Sequence, residues 1–142
     1  MRLLSNDPTL FNSTIEECLR FECPGQYIKR IALDDIALNG ITIKKGSVIN
    51  LIIGAANRDP EIFNNPNIFD IKRNPNPHLS FGHGHRRCMG FRFAIDIASI
   101  GLKTLIHNFG DLSLKSEKNV EWETSFRVHG IKSLPLFFEI LP

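Results

Sequence analysis

The sequence predicts a mixed α and β fold, mainly helical with small antiparallel sheets, on three observations. Two stretches, near residues 8–22 and 89–109, place apolar residues at helical spacing. Between them the texture changes to short Ile, Val and Leu runs broken by Asn39-Gly40 and Lys45-Gly46, the pattern of short strands joined by tight turns. The chain has 142 residues, 42% hydrophobic and 23% charged, which suits one core and argues against disorder, collagen-like repeats and coiled coil.

Asp7-Pro8 reads as a helix start, with Asp as N-cap and Pro at the first helical position. Leu10, Phe11, Ile15, Cys18 and Leu19 follow at helical spacing until Pro24-Gly25 ends the helix. On it Glu17 and Arg20 stand three apart, and Glu16 and Arg20 four apart, both pairing distances. Strands begin at Tyr27, with a hairpin at Asn39-Gly40, and Ser47 to Ile53 is the strongest of them. Asp59-Pro60 caps a further helical turn. Asn64 to Ser80, with Pro66, Pro75, Pro77 and five asparagines, is predicted to lack regular structure; inside a compact domain such segments usually serve function. A helix from about Met89 to Phe109 is expected to bury Phe93, Ile97, Ile100 or Gly101, and Leu105, and to stop at Gly110. The tail, with Trp122, Val128, Gly130 and the run Leu134 to Ile140, reads as short strands joined by turns.

The net charge of +2, from 17 basic and 15 acidic residues, is too balanced to point to nucleic acid. No apolar run approaches the roughly 20 residues of a membrane span. The N-terminus reaches Asp7 and Pro8 before a signal-peptide core forms, so the expected location is cytoplasmic. Cys18, Cys23 and Cys88 are odd in number and unrelated in spacing, poor material for a disulfide framework. The 18 Ile and 12 Asn read as compositional drift without functional content.

Phe81 to Gly90 concentrates two spaced glycines, two histidines, two arginines and a cysteine at the mouth of a helix. Three chemistries compete for it. In an anion site, Gly82 and Gly84 turn backbone N–H groups inward while Arg86, Arg87 and the helix N-terminus supply positive charge. In a zinc site, His78, His83, His85 and Cys88 are four donors, although their spacing matches no finger pattern. In a thiolate site, the helix N-terminus and neighbouring cations favour ionised Cys88 as an iron ligand. The glycines then let a flat cofactor approach, and Arg86 pairs with its carboxylates.

The string Phe81-Gly82-x-Gly84-x-Arg86-x-Cys88-x-Gly90 resembles the cysteine-ligand loop of the cytochrome P450 family at every defining position. Glu17-Cys18-Leu19-Arg20 resembles the family's Glu-x-x-Arg helix, and Ala55-Ala56-Asn57-Arg58-Asp59-Pro60 resembles the strand-exit segment of its bacterial members. These motifs lie in the expected order. The resemblance covers essentially the whole chain but only the C-terminal part of a normal member. It therefore implies that residues 1–142 are the C-terminal haem-thiolate portion of the fold, with the N-terminal portion and its distal helix absent.

The resemblance implies haem (iron protoporphyrin IX) as cofactor, with Cys88 as the proximal iron ligand and catalytic thiolate. Phe81 would pack near the sulfur, Arg30 and Arg86 would bind the propionates, and Gly82, Gly84 and Gly90 would shape the loop. Glu17 and Arg20 would form an ion-pair network beneath the haem. The implied reaction is monooxygenation of a small apolar substrate with O2 and electrons from a ferredoxin-type donor, the thiolate favouring O–O cleavage. Arg87, Arg92 and Lys103 are candidate docking charges for that donor. His78, His83, His85, His107 and His129 are expected to be hydrogen-bonded or solvated, and Cys18 and Cys23 to be plain surface or core cysteines.

Two departures from the family pattern stand out. The family's third network arginine, two residues after the meander proline, is here Ile68, and losing a partner of a buried pair costs about 1 to 3 kcal/mol. Arg58, Lys72 and Arg73 are candidate substitutes. The larger departure is the missing distal helix and most of the substrate pocket, of which only Pro24 to Arg30 and Ser125 to Gly130 remain. Two readings follow: an enzyme part completed by an N-terminal companion chain, or a non-catalytic truncated remnant that binds haem weakly without turnover.

Overall fold

The computed structural model, which describes residues 2–109, 112–117 and 120–138, begins with a short helix that the sequence did not announce, α1 (Arg2–Asn6). Asp7 is an N-cap, but of a single 3-10 turn, Pro8–Leu10: its carboxylate accepts the Thr9 N–H at 3.1 Å and the Thr9 hydroxyl. Those two bonds hold the Asp7 carboxyl below the usual carboxylate range. Helix α2 (Phe11–Phe21) follows and stops three residues before Pro24, because Glu22 leaves the helical backbone. One side of α2, with Phe11, Thr14 and Ile15, is buried, and so are Glu17 and Arg20.

Strands β1 (Tyr27–Ile31) and β4 (Val48–Ile52) pair antiparallel, setting Arg30 opposite Ile49 and Ile31 opposite Val48. Between them β2 (Ile36–Leu38) and β3 (Ile41–Ile43) form the hairpin expected at Asn39-Gly40. Both loop residues have positive φ, +48° and +77°, as the tight turn between right-twisted strands demands. The strand expected over Ser47 to Ile53 is one residue shorter at each end. Ile53 instead opens a one-turn helix, α3 (Ile53–Ala56), which brings Asn57 to its C-cap. Asp59 caps the next turn through the Glu61 N–H (2.9 Å). From Arg58 to His83 the chain has no helix or strand, as its prolines and asparagines predict.

Helix α4 (Phe91–Asn108) is correctly expected but its orientation is not. Phe93, Ile97, Ile100 and Leu105 are exposed, at 70, 53, 63 and 45%. Ile95 and Ser99 are buried and pack on α2, where Ser99 Oγ donates to Asn12 Oδ1 (3.1 Å). The helix has two apolar stripes, and periodicity alone does not say which one meets a partner. Gly110 and Ile140 lie outside the described residues. In the tail, β5 (Ser113–Leu114) pairs with β8 (Leu136–Phe137), and β6 (Glu121–Trp122) with β7 (Ile131–Ser133). A bridge from Gly25 to Val128 ties this tail to the exit of α2.

The largest fully buried side chains among the described residues are Arg20, Glu17, Asn57 and Cys23. Beside the apolar core, Glu17, Arg20 and Asn57 thus form a buried polar cluster, and Asn57 bonds it to the segment leading to Cys88. No helix of the described residues is long and apolar enough to cross a membrane.

Candidate functional site

The loop before α4 is bent by two glycines. Gly82 and Gly84 have φ of +74° and +63°, a backbone that side chains oppose, and a Cβ at Gly82 would meet the Arg86 carbonyl at 3.4 Å. A 3-10 turn, Gly84–Arg86, follows, and the loop closes where the Cys88 N–H donates to the Phe81 carbonyl (2.8 Å). Cys88 lies two residues before Gly90, which is the N-cap of α4 and has ordinary φ (−86°) with no close neighbour. The predicted start at Met89 is thus two residues early.

Across from this loop, β1 and β4 present a sheet face, and the two together enclose a cleft of about 880 Å³. Its walls include Ile28, Arg30, Ile31 and Val48 from the sheet, and Phe81, Gly82, Arg86 and Cys88 from the loop. Five of the seven predicted cofactor residues, Arg30, Phe81, Gly82, Arg86 and Cys88, meet in it; Gly84 and Gly90 do not line it. Arg30 also donates to the Lys29 carbonyl (2.8 Å), which holds its guanidinium along the strand. One thiol and two guanidiniums at the edge of an apolar cleft fit a flat, iron-bearing cofactor with carboxylate arms. The zinc arrangement is not formed: among the described residues no three His, Cys, Asp or Glu side chains converge as metal ligands.

Beneath the loop Glu17 and Arg20 are paired at 0% exposure through two 2.8 Å bonds. Arg20 also donates to the carbonyls of Asn57 (2.9 Å), Pro66 (2.8 Å) and Ile68 (3.2 Å). The third arginine is Arg73, whose Nε lies 3.2 Å from Glu17 Oε2 and whose other nitrogens hold the Asn64, Asn65 and Ile68 carbonyls. Arg58 turns instead to the Phe21 carbonyl (2.7 Å). Burial would raise the Glu17 carboxyl, but bonds from Arg20, the Asp70 N–H and Arg73 outweigh it and hold it below the usual glutamate range.

Sequence reasoning missed the asparagines. Asn57, fully buried, accepts the Leu79 N–H (2.8 Å) and donates to Ser80 Oγ (2.9 Å), joining the end of α3 to the lead-in of the cysteine loop. Ser80 in turn donates to the Leu19 carbonyl (2.7 Å), and Asn76 donates to Glu17 (3.1 Å). Reading Asn as drift hid these roles; the signal was Asn57's place in the strand-exit segment. Glu16 pairs with His78 rather than with Arg20. Cys18 is exposed, and Cys23 is buried with its thiol on the Gly25 carbonyl (3.2 Å). Of the docking charges, Arg87 and Arg92 flank the Phe91 ring at 3.8 and 5.6 Å, whereas Lys103 sits apart over Phe11.

The family model for cytochrome P450 matches residues 5–135. The chain belongs to the cytochrome P450 family. The biotin biosynthesis cytochrome P450 of Bacillus subtilis (strain 168) is 45% identical over 138 residues, 96% of this chain and 34% of that protein. The 6-deoxyerythronolide B hydroxylase of Saccharopolyspora erythraea is 35% identical over 96% of this chain and 34% of its own length. Among solved structures, P450BioI in complex with hexadec-9Z-enoic acid ligated acyl carrier protein superposes with a TM-score of 0.91 at 45% identity, over 96% of this chain and 35% of that one. Substrate-free CYP109E1 from Bacillus megaterium gives 0.94 at 33% identity, over 99% and 36%. The chain spans about a third of the length of these relatives and carries a partial cytochrome P450 fold. Haem, iron protoporphyrin IX, is the cofactor of the family.

Proposed function

We propose that residues 1–142 are the C-terminal haem-thiolate portion of a bacterial monooxygenase, which holds haem through Cys88 and contributes to hydroxylation of a small apolar substrate. The observation that carries this reading is the single cleft in which Arg30, from a strand, meets Arg86 and Cys88, from a loop more than fifty residues later. Cys88 would supply the thiolate, and Arg30 and Arg86 would bind the carboxylates. Ile28, Ile31, Val48 and Phe81 would give the cofactor an apolar wall. When bound, haem supplies the oxygen-activating redox chemistry.

The substrate side would be built from 24–30 and 125–130. The Gln26 N–H donates to the Arg127 carbonyl (3.0 Å), and Tyr27 packs on Phe126 with ring centroids 5.4 Å apart. An apolar substrate agrees with the hexadecenoic acid and testosterone named in related complexes. Arg87 and Arg92, with Lys72 in the adjoining cleft, would receive an acidic ferredoxin-type donor. The exposed stripe of α4 favours completion by an N-terminal companion chain over a non-catalytic, haem-binding remnant.

Reconstituting the purified chain with haem, reducing it and adding carbon monoxide tests the reading. The expected result is a strongly red-shifted Soret band that disappears in Cys88→Ala. An imidazole-like band, or one that survives Cys88→Ala, overturns it.

A further inference from the structure

His78 lies three residues before Phe81, and its side chain is 4% exposed. Both ring nitrogens have partners. Nδ1 accepts the Ser80 N–H (3.3 Å), and Nε2 lies within hydrogen-bond distance of Glu16 Oε2. A backbone N–H can only donate, so Nδ1 presents its lone pair and the ring proton sits on Nε2, donated to the Glu16 carboxylate. The ring packs at 6.1 Å from Phe81, and Phe81 at 6.1 Å from Phe91 on α4. The Phe81 carbonyl then takes the Cys88 N–H. A continuous line of contacts runs from Glu16 on α2 through His78 and Phe81 to Cys88.

We propose that Glu16 and His78 form a positioning pair for Cys88: a neutral imidazole, locked as the Nε2–H tautomer by Glu16, fixes Phe81 and through it the loop hydrogen bond that orients the cysteine. The ligand role of Cys88 rests on the function proposed above, but the positioning does not. Neutral hydrogen bonding, rather than an ion pair, is what the Ser80 contact requires. The pair uses a different carboxylate from the Glu17 network, Glu16 rather than Glu17.

The test combines hydrogen exchange of the 81–88 segment with nitrogen-15 NMR of the histidine rings. In His78→Ala and Glu16→Ala, exchange of that segment should quicken about three- to tenfold, the factor one hydrogen bond carries. In Glu16→Gln, whose amide oxygen still accepts from Nε2–H, protection should return, and the wild-type ring should show the Nε2–H tautomer. Unchanged exchange in His78→Ala, a Glu16→Gln variant as loose as Glu16→Ala, a doubly protonated ring, or equal loosening along all of α4 overturns the proposal. If the Gln rescue holds while carbon monoxide reveals no thiolate band, the positioning stands and the ligand role falls.

Discussion

Glu17 receives N–H donors from Arg20, Asp70, Arg73 and Asn76, more than any helix pair could supply. A buried pair of this kind gains little over an apolar pair but leaves a costly charge when broken. Glu17→Ala, which strands Arg20, is therefore expected to lose about 3 to 5 kcal/mol, and Arg73→Ala about 1 to 3 kcal/mol, by urea unfolding. The sign of the pH effect follows from the lowered Glu17 carboxyl. Its contribution is complete above the ordinary glutamate value near 4.3 and is lost as pH falls through the lower folded value. Glu17→Gln should flatten the acid side of the stability curve in that window, and an unchanged acid slope would contradict the network. At this scale the pair was legible from spacing, but the third arginine was not. Arg58, Lys72 and Arg73 are equivalent on paper, and the path of an irregular segment decides which one reaches Glu17.

Among the elements, α4 separates pattern from packing. Its stripe at Ile95 and Ser99 meets α2, while that at Phe93, Ile97 and Ile100 faces solvent. Ile95→Ala should cost about 2 to 5 kcal/mol, and Ile97→Ala should stay within about 0.5 kcal/mol. An exposed apolar stripe of this kind promotes self-association, which Ile97→Asp should reduce in sedimentation experiments without lowering the unfolding midpoint. Equal destabilisation by the two alanine substitutions would contradict the packing of α4 through Ile95. The β2–β3 hairpin is the opposite case. Asn39-Gly40 accepts positive φ at both positions, so the turn is specified where it forms.

For the whole molecule, the cleft is open: Cys88 and Arg86 are exposed in it. A haem held there would have one face in water, without the dry enclosure that steers oxygen toward C–H oxidation. With reductant, a ferredoxin-type donor system and apolar substrates, the haem-loaded chain alone is expected to release peroxide and no proportionate hydroxylated product. Product formed in step with electrons consumed would refute that account. The cysteine loop, the Glu17 and Arg20 pair, the hairpin and the irregular meander were all legible in the residues. Each is set by local means: glycine backbone freedom, helical spacing, or prolines and asparagines that deny regular hydrogen bonding. Long-range contacts alone set Arg30 across a cleft from Arg86, bring Arg73 into the network, place Asn57 and His78 against the loop, and choose which stripe of α4 is buried. Those outcomes depend on hydrogen bonds between residues tens of positions apart, whose geometry exists only once the meander has taken its path.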